Sequence, residues 1–148
     1  MRRSAVATLI QFLFFLCLFS GCAETEDNTP VLFARPALPE VSGAELASYV
    51  ADSQRPVLVE FGVDYNCGRC ESMKPDVLQL AEKYKTGASV VRVNFTANVD
   101  LVTELGGNVC PTYVLYNQGE PVMVRSHPTS YDLLESDLLN LLPDDRNE

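Results

Sequence analysis

The chain has 148 residues, 47% of them hydrophobic, with 11 basic and 20 acidic residues and a formal net charge of −9. That length holds one domain of ordinary size, and the acidic balance excludes a basic nucleic-acid footprint. Only Cys67, Cys70 and Cys110 fall in the part expected to fold, too few for a disulfide framework.

At the amino end, Arg2 and Arg3 form a short basic region. Ala5 to Phe19 follow as an apolar stretch broken only by Thr8 and Gln11, and Phe19-Ser20-Gly21-Cys22 closes it. The stretch is shorter than the ~20 residues that cross a bilayer as a helix. It resembles a bacterial lipoprotein signal, which implies removal of residues 1–21 and a lipid on Cys22. The expected location is the cell envelope, periplasm-facing and lipid-anchored to a membrane. Losing residues 1–21 removes two arginines and no acid, so the mature charge is about −11. Residues 22–40 then form the lipidated Cys and a flexible acidic, proline-containing tether, in which Val31-Leu-Phe is a candidate edge strand. Residues 41–148 form the domain.

Ser42 followed by Glu45 predicts a capping box, and Leu46, Tyr49 and Val50 give the ensuing helix its apolar face. Past Pro56, Val57 to Gly62 is an apolar run interrupted by Glu60, which suits a central strand covered on both faces. Met73, Val77, Leu80, Ala81 and Tyr84 recur at helical spacing over residues 68–85, with Pro75 inside and a kink expected there. Ser89 to Phe95 reads as a strand, and Val99 to Leu105 as a short helix stopped by Gly106-Gly107. Thr112–Tyr116 and Pro121–Arg125 form a hairpin across Asn117-Gln-Gly-Glu. Leu133, Leu134, Leu138, Leu139 and Leu142 stripe a final helix. Helices alternating with strands imply an α/β fold: a central mixed sheet with parallel strands, an antiparallel hairpin at one side, and helices on both faces.

Between the first strand and its helix lies Cys67-Gly-Arg-Cys70. A strand that delivers its chain to a helix start brings the first sulfur to unpaired backbone N–H groups and the positive end of the helix dipole, both of which favour thiolate. Zinc sites use CxxC too, but no second Cys or Cys/His pair stands at zinc spacing here.

From about Ser42 to Leu142 the chain resembles a thioredoxin. Pro75 lies where that family has its helix-kinking proline, and Cys110-Pro111-Thr112 matches the segment whose proline is cis and faces the cysteines. Glu60 takes the place of the buried acid before the motif, Arg92 stands where a lysine often neighbours it, and Gln118-Gly119-Glu120 fits the hairpin turn. The chain departs from the family in lacking the tryptophans around the motif, with Gly62 and Asn66 in their places and a loop before Cys67 one residue longer. It also has Arg69 for Pro, Cys110 before the cis proline, and His127 where a glycine often lies.

The resemblance implies a thioredoxin-like protein disulfide oxidoreductase without a bound cofactor, in which Cys67 attacks a substrate and Cys70 resolves the mixed disulfide. Glu60 relays a proton to or from Cys70, or else only pairs with Arg92 or Lys85. Cys110, Pro111 and Thr112 form the substrate-binding segment. Cys110 is either a small buried apolar group or a third sulfur near Cys67. Arg69, Arg92 and His127 are candidates to tune the pair, with ordinary solvated side chains as the alternative for Arg69 and His127. Partners are protein thiols or disulfides, an upstream redox donor or acceptor, and the membrane through the lipid. Two rivals remain: a copper or iron–sulfur binding module built on Cys67, Cys70 and Cys110, with or without His127, and a redox-inactive adaptor.

Overall fold

The computed structural model describes residues 36–128 and 130–143. The signal segment, Cys22 and Val31-Leu-Phe lie outside them. No helix among the described residues is long and apolar enough to cross a membrane.

Helix α1, Gly43–Asp52, starts after Ser42, whose backbone is extended. The expected capping box takes another form: the Ser42 hydroxyl donates to the Glu45 carboxylate at 2.5 Å, while the Glu45 N–H donates to the Ser42 carbonyl. Leu46 and Val50 are buried, but Tyr49, assigned to the same face, is 37% exposed and hydrogen-bonds Ser89 through its hydroxyl.

Strand β1, Val57–Gly62, is buried along its whole length, as an apolar run predicts. Helix α2, Gly68–Lys83, contains Pro75, whose missing N–H leaves the Glu71 carbonyl without its helical donor. The helix stops short of Lys85 because the N–H groups of Gly87 and Ala88 both turn back to the Tyr84 carbonyl. Strand β2, Ser89–Asn94, ends one residue early because the Asn94 side chain accepts the Ala97 N–H and opens a 3₁₀ turn, Thr96–Asn98, that the sequence did not signal. Helix α3 spans Val99–Glu104, strands β3 and β4 span Thr112–Asn117 and Glu120–Ser126, and helix α4 spans Tyr131–Leu139. Gln118 and Gly119 form the hairpin turn with φ of 52° and 84°. Two consecutive left-handed residues are what a twisted two-residue hairpin needs.

The strand order is β2-β1-β3-β4. β1 and β2 are parallel, joined by the α2 crossover, while β3 pairs antiparallel with both β1 and β4. Outside β2, the Arg92 backbone bonds both the Pro39 carbonyl and the Val41 N–H, so residues 39–41 extend that edge by a single bridge. Alternation along the strands splits the core in two. Val57, Val59, Phe61, Val91, Val93 and Val114 pack with Leu46 and Val50 of α1 and Val102 of α3. On the other face Leu58, Val90 and Leu115 pack with Val77 and Leu80 of α2 and Leu134 and Leu138 of α4. Glu60 is two residues from Leu58 and therefore faces α2, the helix that carries the cysteines.

Leu134 is 0% exposed in that second core. Leu134→Ala is expected to cost about 2–5 kcal/mol, read as a lower midpoint in urea unfolding with an unchanged slope.

Candidate active site

The end of β1, the start of α2 and the loop before β3 converge on one end of the sheet. Cys67 is the N-cap of α2, and its sulfur accepts the Cys70 backbone N–H at 3.1 Å. The two cysteines form a disulfide with Cα atoms 5.2 Å apart. Cys67 is half-buried, whereas Cys70, one turn into the helix, is 2% exposed. An incoming sulfur therefore meets Cys67 first.

Cys110-Pro111 is a cis peptide bond, as the resemblance implies. Its loop is held from two sides. Thr112 is fully buried, with its hydroxyl on the Val109 carbonyl and against the Ser126 hydroxyl, both at 2.7 Å. The His127 N–H donates to the Pro111 carbonyl at 2.9 Å. The Cys110 carbonyl oxygen lies 3.8 Å from Cys67 Sγ, and Cys110 Sγ lies 3.0 Å from Cys70 Sγ. Cys110 is thus the third sulfur of the site, and all three sulfurs lie within 4.8 Å of one another. Burial, first, and the charge of Glu60 push its thiol up, against a Val63 N–H and Arg92 that pull the other way.

His127 does not join the sulfurs. Among the described residues, the cluster of His, Cys, Asp and Glu groups close enough to share an ion consists of the three cysteines alone. The exposed His127 acts on the loop through its backbone, at φ 49°. Arg69 is exposed on the first turn of α2.

Beneath the disulfide, Glu60 is 0% exposed, and each of its two oxygens has a partner. Register makes the arrangement: on β1 it sits opposite Arg92 of β2 and Tyr113 of β3. Arg92 donates Nε and Nη2 to Oε2 at 2.9 and 2.7 Å, and the Tyr113 hydroxyl donates to Oε1 at 3.0 Å. Arg92 also reaches Asp64 at 2.5 Å, and Lys74 approaches the same oxygen at 3.6 Å, so the loop before Cys67 is tied to the sheet. Lys85, the other candidate partner of Glu60, pairs instead with Glu82. Burial opposes the Arg92 charge, but Glu60 and then Asp64 outweigh it and the net shift is upward.

Tyr113 was not singled out in the sequence, and Asp64 stood there only as a charge opposing Arg69 beside Cys67. Tyr113 could have been found by aligning the two strands around Glu60; the contact of Asp64 with Arg92 carried no signal because Asp64 belongs to an irregular loop. Exposed Tyr65 and Val109, 65% and 41% accessible, add an apolar margin beside Cys67 and Cys110.

A helix-capping cysteine disulfide-bonded to a buried one, facing a cis-proline loop on a mixed sheet, defines a dithiol–disulfide exchange protein. The Thioredoxin family profile matches residues 37–139, and the chain belongs to the thioredoxin family. It is 29% identical over 107 residues to Thioredoxin X, chloroplastic, of Arabidopsis thaliana, covering 72% of this chain and 58% of that one. It is 33% identical over 86 residues to a Thioredoxin of Synechocystis, covering 58% and 79%. With a Thioredoxin of Porphyra purpurea it shares 31% over 99 residues, covering 67% and 92%. The crystal structure of oxidised mitochondrial thioredoxin 3 from Saccharomyces cerevisiae superposes with a TM-score of 0.62 at 19% identity, covering 70% of this chain and 95% of that one, and so shares its fold.

Removing one partner of the buried pair should cost more than removing its neutral donor. Arg92→Met is expected to lose about 3–5 kcal/mol and Tyr113→Phe about 1–3, measured by urea unfolding at neutral pH. Equal losses would show that Arg92 holds Glu60 no more strongly than Tyr113 does.

Burial pushes the Tyr116 hydroxyl up to about 12 from 10.0. Burial, then the Glu60 charge, moves Tyr113 in the same direction. Above pH 10 the unfolded chain releases these protons and the folded one keeps them, so stability is complete below pH 10 and falls as pH rises toward 12. Tyr116→Phe should flatten that decline in unfolding curves taken between those two pH values.

Proposed function

We propose that this chain is a thiol:disulfide oxidoreductase of the cell envelope, lipid-anchored through Cys22, that acts on protein thiols and disulfides through Cys67 and Cys70. The observation that carries the reading is the capping contact of Cys67: the Cys70 N–H at 3.1 Å and the helix start favour a thiolate there. Cys67 attacks a substrate disulfide, Cys70 displaces the substrate from the mixed disulfide, and a redox partner resets the pair. The Cys110 carbonyl next to Cys67 and the exposed Tyr65 and Val109 support docking of an extended, partly apolar protein segment.

Glu60 serves as proton acceptor when Cys70 must become a thiolate. Support comes from its open lone pair: Arg92 occupies Oε2 twice, but Tyr113 fills only one of two sites on Oε1. The envelope location rests on the residues around Cys22, and the acidic tether gives the domain reach from the membrane.

Insulin-disulfide reduction tests the chemistry. Cys67→Ser is expected to be inactive and Cys70→Ser to accumulate a mixed disulfide with insulin. Activity in Cys67→Ser would remove the reading. Glu60→Gln should slow resolution more than attack in stopped-flow measurements; unchanged rates for both steps would end the relay assignment. For the location, Cys22→Ser should move the protein from the membrane pellet to the soluble fraction, and a wild-type chain found soluble would contradict the anchor.

A further inference from the structure

A two-cysteine centre holds no nucleophile while oxidised, since both sulfurs are spent in one bond. This centre has a third. Cys110 Sγ stands 3.0 Å from Cys70 Sγ, about an ångström beyond the ~2.05 Å of a disulfide. The loop that carries it is braced by Thr112 on the Val109 carbonyl and by the His127 N–H on the Pro111 carbonyl, so the sulfur's position next to Cys70 is held by the fold.

We propose that Cys110 is a redox thiol that shuttles the disulfide, and that through it the oxidised protein rearranges disulfides in mispaired protein substrates; this rests on the dithiol reading above. The Cys110 thiolate attacks Cys70 Sγ. One S–S bond forms between Cys70 and Cys110, the Cys67–Cys70 bond breaks, and the electron pair leaves on Cys67 Sγ. The Cys110 proton passes to water, which reaches that half-buried side chain. One disulfide replaces another, so no oxidant or reductant is consumed.

The environment favours this direction. The negative charge moves from a sulfur whose thiol is pushed up by burial to one that accepts an N–H at a helix start. A more basic sulfur is the stronger nucleophile once ionised and a better-stabilised thiolate leaves faster, so exchange accelerates as rising pH ionises Cys110. Cys70 is the sulfur in contact with Cys110 and the buried one, so the group released is the more accessible Cys67.

With Cys67 free, the oxidised protein attacks a substrate disulfide and forms a mixed disulfide. The substrate thiolate it liberates attacks another disulfide of the same substrate. The last substrate thiolate formed then displaces Cys67. The substrate's disulfides have been redistributed and the protein is unchanged.

The test is linkage mapping on full-length wild type, fully oxidised, freed of added thiol and labelled with N-ethylmaleimide. Trypsin cuts after Arg69, Lys83, Arg92 and Arg125, so Cys67, Cys70 and Cys110 fall on three different peptides. Both the Cys67–Cys70 and the Cys70–Cys110 linkages should be recovered, with label localised by fragment spectra on Cys67 as well as Cys110. In Cys110→Ser, labelling at Cys67 should fall by about tenfold or more. Label on Cys110 alone, with no Cys70–Cys110 linkage in the wild type, overturns the proposal without any variant having to fold. Oxidised wild type should also restore activity to scrambled ribonuclease without added thiol, and no recovery counts against it. Insulin reduction with reductant present separates the two ideas: its failure removes the dithiol reading and this inference together. Its success beside Cys110-only labelling removes this inference alone.

Discussion

A carboxylate in the middle of a sheet, out of reach of water, sets the terms for the end of the molecule where the cysteines lie. A carboxyl group there needs partners on both oxygens, and the strands on either side of Glu60 provide them from register-matched positions. Such a pair contributes little to stability compared with an apolar replacement, because desolvation offsets most of the attraction. What it provides is position. Arg92 places Nε and Nη2 on Glu60 and its Nη1 on Asp64, which holds the loop that leads into Cys67. The contacts run from the sheet through Glu60, Arg92 and Asp64 to the loop before Cys67.

The same end of the sheet explains why the two sulfurs of the motif differ. Cys67 caps α2 and stays accessible, while Cys70 turns inward against the cis-proline loop. Placing Cys110 in that loop puts a third sulfur on the buried side of the disulfide, where it touches Cys70. A soft-metal centre would need all three as thiolates, and the disulfide takes two of them, so that chemistry belongs to the reduced form only.

Much of this was readable beforehand because it depends on local pattern. The alternation of helices and strands, the buried run of β1, the left-handed turn at Gly119 and the final leucine stripe all follow from spacing that survives folding. The cis proline and the Cys67–Cys70 pair came through the likeness of Cys110-Pro111-Thr112 and the CxxC to thioredoxins. The misses are equally local in cause. Asn94 ended β2 early by capping a turn, and Tyr49 left the core because its hydroxyl found Ser89. Side-chain hydrogen bonds of this kind compete with the regular pattern and leave no periodic trace.

The amino-acid sequence determined the fold class, the two reacting cysteines and the presence of a buried acid, since each is written in residue types at short range. Tertiary structure decided between the readings that sequence left open. Glu60 meets Arg92 and Tyr113 rather than Lys85, His127 contributes its backbone and stays out of the sulfur cluster, and Cys110 is a neighbour of Cys70 instead of a mere space-filler. Those outcomes hinge on strand register and on how one loop crosses the start of a helix, contacts between residues tens of positions apart that no local pattern encodes.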